Sequence, residues 1–330
     1  MHHLHLLIPD LFLPPDVARR ACAKLRLPNL EKLLGRSEWH DLSAVTMEDY
    51  FCDRFKAEAV APVRASADGL DVSEGFWLCA DPVNLQLQQS QVVLQPDVQC
   101  SAEEAVALCA TLNAHFAQDG LTFFAPHPGR WYVRSAEVSA VTMTPLRVAS
   151  WRDVKPYQPQ GADALGWQRV ANEIQMLLHE HGINQARAAR GLPAINSLWL
   201  WGGGRTSELH PAFDVVGGDD GLTVAFACAA EVPLVPSLRD MLDGQGQRGL
   251  WVNAALGAAW QRGDLYAWRE AVEGLEREIA RPVWQAMSDG RLQGLTLDVL
   301  MESGTSRFAL TRAGRWQVWR MPKALHTYVV

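Results

Sequence analysis

The chain has 330 residues, 48% of them hydrophobic and 20% charged, with 37 Asp and Glu against 30 Lys and Arg. That balance excludes a disordered chain. A formal charge of -7 with no basic run also excludes the phosphate-neutralising surface on which most nucleic-acid binders rely.

At roughly 150 residues per domain the length predicts two domains. The Arg152–Gly161 stretch, with Pro156, Pro159 and Gly161, is the expected crossover, which sets the domains at 1–150 and 151–330. Cys22, Cys52, Cys79, Cys100, Cys109 and Cys228 form no CxxC pair and sit among apolar neighbours, so free thiols are expected. Met1 to Leu13 is too short, and too interrupted by His2, His3, His5 and Asp10, to read as a signal peptide. The longest apolar runs, such as Leu222 to Ala230, fall far short of a bilayer span. A cytoplasmic protein is the expectation.

In chain order, His5 to Asp10 reads as a short buried strand ended by Pro9, with Asp10 at its carboxyl end. A helix or turn follows near Pro14 to Ala23. Pro28 to Gly35 then has proline at a helix start, Leu30, Leu33 and Leu34 on one face, and glycine at its stop. Residues 44–55 continue as helix until Pro62 and Gly69 break the pattern. Gly75 to Ala80, Val83 to Leu87 and Gln91 to Gln95 predict strands and a hairpin, with Asp81-Pro82 as a turn.

Ser101 with Glu104 signals a capping box for a helix that presents Ala105, Leu108, Cys109, Leu112 and Phe116, and Gly120 stops it. Leu121 to Phe124 and Trp131 to Arg134 flank a further turn. Asp163 heads the strongest helix, marked by Trp167, Val170, Ile174, Leu177 and Leu178. A short helix over residues 185–190 leads to Ala194–Trp201, an apolar strand of the kind covered on both faces in parallel sheets. Leu222 to Cys228 reads as another buried strand and residues 265–279 as an amphipathic helix. Leu292 to Leu300, Phe308 to Leu310 and Trp316 to Arg320 complete the predicted strands. The mixture points to an α/β fold with an additional α+β portion.

The most informative local pattern is Gly202-Gly203-Gly204-Arg205 after the apolar strand. Three glycines permit close backbone approach by an anion, and the guanidinium offers a bidentate fork. Asn196, Gly202, Gly203, Gly204 and Arg205 are therefore the candidate ligand-binding residues; the same run reads equally as a structural turn. Neither a Walker motif nor a dinucleotide fingerprint is present. His3 and His5 share a strand face on which an ion is possible, whereas His179 and His181 lie roughly 200° apart on a helix. Asp214, Asp219 and Asp220 surround Gly217-Gly218 as a polar hairpin tip. With no HExxH, zinc spacing or GxSxG, neither a metal site nor a cofactor is assigned.

His5–Asp10, followed by Leu27-Pro28-Asn29-Leu30-Glu31-Lys32-Leu33, resembles the start of alkaline-phosphatase-superfamily proteins. Asn196 with Trp201-Gly202-Gly203-Gly204 looks like the Asn-x-x-x-x-Trp-Gly-x-Gly region of archaeal-type cofactor-independent phosphoglycerate mutases. Phe76 to Leu85, with Ala80-Asp81-Pro82-Val83, and Asn172 to His179 are similar to bacterial phosphoglycerate-mutase-like regulatory proteins of the RpfE type. The resemblance implies an alkaline-phosphatase-like α/β scaffold, its sheet mixed or mainly parallel, with helices on both faces. It also implies a two-metal centre around a Ser or Thr nucleophile, of which Asp10, Ser43 and Thr46 would be remnants.

The departures are as specific. There is no Asp-His dipeptide and no Asp followed closely by two histidines, yet two-metal transfer needs both ions on the attacking and leaving oxygens. The expectation is a catalytically degenerate protein with a regulatory or small-anion-binding role and no resident cofactor. An active metal-dependent phosphomutase or phosphatase, and a protein-interaction scaffold, are the alternatives. The partner expected is a small phosphorylated or anionic ligand or another protein, not nucleic acid or a membrane.

Overall fold

A computed structural model describes residues 1–317 and 319–328. The chain folds as two compact units, Met1–Phe55 with His210–Val330, and the continuous stretch Lys56–Leu209. The expected division between residues 150 and 151 therefore falls inside the second unit. There Leu94 N–H donates to Arg152 O, Trp151 N–H to Leu94 O and Val154 N–H to Val92 O. Those bonds tie the start of the proline-bearing stretch to a sheet, so it is not a linker.

The first unit opens with strands β1 (His3–Leu7) and β2 (Glu38–Leu42). The second unit holds β3 (Phe76–Gln88), β4 (Gln91–Gln95), β5 (Leu121–His127), β6 (Arg130–Ser135) and β7 (Ser197–Gly204). The chain then returns to the first unit as β8 (Val215–Gly218), β9 (Arg248–Val252), β10 (Gly294–Leu300) and β11 (Thr305–Thr311).

The sheet of the first unit runs β2-β11-β10-β1-β9-β8. Its centre, β10, β1, β9 and β8, is parallel, while β11 and β2 add an antiparallel edge. Helices flank the sheet, and the fold is α/β with a mixed sheet. Alternation along β1 sends Leu4, Leu6 and Ile8 into one core with Leu295, Leu297 and Val299. The Pro28–Arg36 helix joins that core through Leu30, Leu33 and Leu34. Each buried leucine contributes roughly 1.5–3 kcal/mol. Leu27 offers this helix no side-chain cap. Its first turn is held instead by Glu276, whose carboxylate accepts from Asn29 N–H (3.0 Å), Asn29 Nδ2 (2.6 Å) and Leu30 N–H (2.8 Å).

The opposite face of β1 is polar. His3 shares a hydrogen bond with Thr296 Oγ1 (2.9 Å), and His5 stands 4.8 Å from the His3 ring. Beside them Asp298, 1% exposed, accepts a two-point fork from Arg307 at 2.7 and 2.8 Å.

The second unit is an antiparallel sheet in which β3 pairs with β7 on one flank. On its other flank β3 pairs with β6 over Phe76–Cys79 and with β4 over Asn84–Gln88. Asp81-Pro82 is thus strand, not turn. Successive residues turn their N–H groups to opposite flanks. Leu85 N–H points to the β7 side, so Pro82 places its missing N–H on the flank where no strand pairs at that residue. Phe76, Leu78 and Ala80 face a core with Leu198, Leu200, Leu108, Leu112 and Ile174. The capping box at Ser101 and Glu104 is present, and the helix it starts runs Ala102–Phe116. Asp163 precedes the Ala164–His179 helix, but its carboxylate accepts from Ala140 N–H and Ser139 Oγ rather than capping that helix.

The run Ala194–Trp201, expected in a parallel sheet, is antiparallel to β3 and extends as β7 to Gly204. Leu222 to Cys228, expected as a strand, is the Gly221–Ala229 helix. Trp316 to Arg320 is not the expected closing strand, because Gly314–Trp316 form a 3-10 turn; Val318 lies outside the described residues. All six cysteines are free thiols.

The glycine run of β7 is a packing device. Cys79 faces Trp201 while Trp77 faces Gly204, so three steps on β7 oppose two on β3. Gly202 takes up the extra residue at φ +66°, the left-handed conformation that favours glycine. A Cβ on Gly203 would meet Leu78 Cδ2 at 2.5 Å, and one on Gly204 would stand 2.4 Å from Ala59 Cβ at the head of the Val60–Ala67 helix.

Two outcomes follow from this packing. Gly204→Ala should destabilise the second unit by about 1–3 kcal/mol in denaturant unfolding, and Ala59→Gly in the same chain should restore most of the loss. An unchanged midpoint in the single variant would contradict the close approach. The second outcome concerns acid. Burial first, then repulsion from His3 and Arg54, pushes His5 from 6.5 down to about 4, against the attraction of Asp298. Folding favours the neutral imidazole, so its contribution is intact above pH 6.5 and is lost as pH falls toward about 4. The loss across that window should be on the order of 3 kcal/mol, and His5→Gln should flatten it. An equally steep acid limb in the variant would show that another group is responsible.

Candidate functional site

Ligands of open α/β sheets gather at the carboxyl ends of the parallel strands. In the first unit that edge carries Asp10 after β1, Asp219 and Asp220 after β8, and Asn253 after β9. The chain holds the β10 line beyond β1, with Ile8 N–H donating to Asp298 O and Asp10 N–H to Leu300 O. Asp10 then turns at φ 58°, and its carbonyl accepts the Trp268 indole N–H (3.0 Å). The strand end expected from the sequence is therefore real.

Asp219 and Asp220 at this edge serve the backbone. Asp219 Oδ1 accepts from Ala254 N–H (2.7 Å). Asp220 Oδ1 accepts from Leu222 N–H (2.8 Å) and Thr223 N–H (3.3 Å), capping the Gly221–Ala229 helix. The expected hairpin tip is thus a strand-to-helix turn. Asp220 followed by Gly221 was the available cap signal, masked by the apolar run behind it.

Thr46 Oγ1 accepts from Asp49 N–H (3.0 Å) and donates to the Asp49 carboxylate (2.8 Å), which caps the Met47–Phe55 helix. Ser43 is exposed just after β2. Since β2 lies three positions from β1 in the sheet, their ends are separated by roughly 14 Å. Asp10, Ser43 and Thr46 are therefore not assembled as a nucleophile with metal ligands. Among the described residues no three His, Cys, Asp or Glu side chains are placed to hold a metal ion, His3 and His5 included. The donor set does not fit a two-metal centre.

The residues of the second expected site also make bonds and contacts within the chain. Gly202–Gly204 belong to a strand, and their missing side chains make room for Val60, Leu78 and Ala59. Arg205 is exposed, but its main-chain N–H donates to Glu58 Oε1 (3.3 Å). A carboxylate of the chain itself thus meets the main-chain N–H at this strand end. Asn196 is structural: its Oδ1 accepts Leu85 N–H (2.7 Å) and its Nδ2 donates to Leu85 O (2.8 Å), extending the β3–β7 ladder by one pair.

No family model matches the chain. A stretch of 116 residues, 34% of the chain, is 28% identical to the 2,3-bisphosphoglycerate-independent phosphoglycerate mutase of Methanosarcina barkeri and covers 28% of that enzyme. The chain thus matches less than a third of that relative's length. A cofactor-independent phosphoglycerate mutase from Thermoplasma acidophilum aligns over 94% of the chain and 90% of its own, with 13% identity and a TM-score of 0.45. The PH0037 protein of Pyrococcus horikoshii aligns over 94% of the chain and 87% of its own, with 11% identity and a TM-score of 0.60. The chain therefore shares its α/β fold with an archaeal protein and carries a remote sequence similarity to cofactor-independent phosphoglycerate mutases.

Proposed function

We propose that this chain is a phosphoglycerate-mutase-like protein that has lost two-metal phosphoryl transfer and works by binding, in a regulatory role. One observation carries the reading. At the carboxyl edge of the parallel sheet Asp219 and Asp220 bond to backbone N–H groups, Thr46 beyond β2 does the same, and no three metal-capable side chains gather among the described residues. A fold can outlast its reaction when the site residues are re-employed. The resemblance of Phe76–Leu85 and Asn172–His179 to bacterial regulatory proteins agrees with this reading, and those residues lie in the second unit.

An active phosphomutase is the competing reading, favoured by the 116-residue similarity to a named mutase. Purified chain without an affinity tag should hold no stoichiometric pair of divalent ions, and should not interconvert 3- and 2-phosphoglycerate with manganese, zinc or magnesium supplied. Turnover that rises with manganese and disappears with chelator would overturn the proposal. Asp10→Asn then separates the readings further. It should leave a binding protein folded and an enzyme inactive.

A further inference from the structure

We propose that a groove in the second unit, beside Leu87, binds an extended, uncharged peptide segment through the side-chain amides of Asn172 and Gln175. The groove encloses about 570 Å³ between the tail of β3, β4 and the Ala164–His179 helix. Leu85, Leu87 and Val92 form one wall, and Asn172, Gln175 and Met176 the other. A smaller space of about 70 Å³ shares Leu85, Asn172 and Gln175 with it and is closed by Met143, Val154, Trp199 and Leu200.

Three observations choose the occupant. First, neither space is lined by Asp, Glu, Lys or Arg among the described residues, although a fifth of the chain is charged, and His179 is the one titratable side chain of the groove's lining. Glu173, on the same helix, is turned to His115 (3.0 Å). A charged ligand would lose hydration here and meet no permanently charged partner. Second, the walls leave large apolar side chains in water, Leu87 at 72% and Met176 at 70% exposure. An extended chain covers such walls and sends a side chain into the smaller space.

Third, this unit already recognises extended backbone with single amides, three times over. Asn113 brackets Phe123, accepting its N–H (2.6 Å) and donating to its carbonyl (3.0 Å). Asn184 does the same to Ile195 at 2.8 and 2.9 Å. Asn196 does so to Leu85, at the mouth of this groove. A carboxamide presents one donor and one acceptor side by side, the complement of a peptide edge. Asn172 and Gln175 offer that chemistry to a chain arriving from outside. The limited volume beyond them selects a small aliphatic side chain over an aromatic one.

The full chain, isotopically labelled, is titrated with short peptides acetylated and amidated at their ends, built from Ala, Ser and Gln around a central Val, Leu or Asp. The Val and Leu peptides should shift the Asn172 and Gln175 side-chain amide resonances saturably. The Asp peptide should bind at least about tenfold more weakly, and so should the Val peptide to the Asn172→Ala, Gln175→Ala double variant. Met176→Glu, at an exposed rim position, should weaken it similarly and serves if the double variant fails to fold. Absence of saturable shifts with every peptide, or affinity unchanged in the variants, would overturn the proposal. It would also be overturned if adenosine or maltose moved these resonances where peptides did not. Shifts that follow protein concentration alone would assign the groove to a second copy of the chain.

Discussion

Much of the second unit depends on one buried ion pair. Arg64, on the Val60–Ala67 helix, forks onto Asp81 of β3 at 2.7 and 2.8 Å, with side chains 11% and 4% exposed. Trp201 of β7 adds an indole hydrogen bond to the same carboxylate (2.9 Å). The guanidinium lies over the rings of Tyr132 and Trp201, 5.6 and 5.3 Å from their centroids. Taking both charges out of water costs several kcal/mol per ion, so the pair adds little net stability but punishes any arrangement that separates its partners. Burial alone would lower the Arg64 value, yet Asp81 holds it well above that of an ordinary arginine. The pair therefore specifies where the helix sits on the sheet more than how strongly it sits. Gly202 and Gly204 then become necessary, because that placement brings Val60 and Ala59 against β7.

A second cluster repeats the device at the other end of this helix. Asp68, just past its last turn, takes a fork from Arg130 at 2.9 and 2.7 Å and the Tyr132 hydroxyl at 2.6 Å. Burial works against its charge, but the Arg130 and Tyr132 hydrogen bonds hold the carboxyl below its usual range. Tyr132 thus stands between two carboxylate–guanidinium pairs, and the sheet strand that carries it is fixed in register with the helix. The exposed Arg130 pair contributes less than the buried one, since water and salt screen it.

What the sequence made legible was local. The capping box at Ser101 needs only its own four residues, and the amphipathic faces of Ala102–Phe116 and Leu265–Leu275 repeat at the helical period whatever surrounds them. What it hid was set by distant partners. Asp81-Pro82 has turn composition, but Arg64 and Trp201 claim the aspartate, and the gap between the β6 and β4 pairings accepts the proline. Leu222 to Cys228 is apolar on every side and short, so periodicity could not separate strand from helix; Asp220 decided it. The glycine run looked like a ligand loop because its true cause, Ala59 and Val60, lies more than a hundred residues earlier. The unit boundary was invisible for the same reason, since Phe55 and His210 meet only in three dimensions, where His210 N–H donates to Phe55 O (2.8 Å).

The carboxyl edge of the parallel sheet shows how polar residues at strand ends can serve the fold itself. A metal centre needs carboxylates with free lone pairs converging on one point. A helix start or strand exit needs one side-chain oxygen pointing at its own backbone. Asp220 and Thr46 satisfy the second requirement for the Gly221–Ala229 and Met47–Phe55 helices, and Asp219 does so for the turn after β9. Each such bond stabilises the element that carries it, so these positions are polar on structural grounds alone. Residue type at a strand end is then weak evidence for catalysis, and the partner of each oxygen is the stronger observation. By that measure Asp219, Asp220 and Thr46 are accounted for by the fold of the first unit itself.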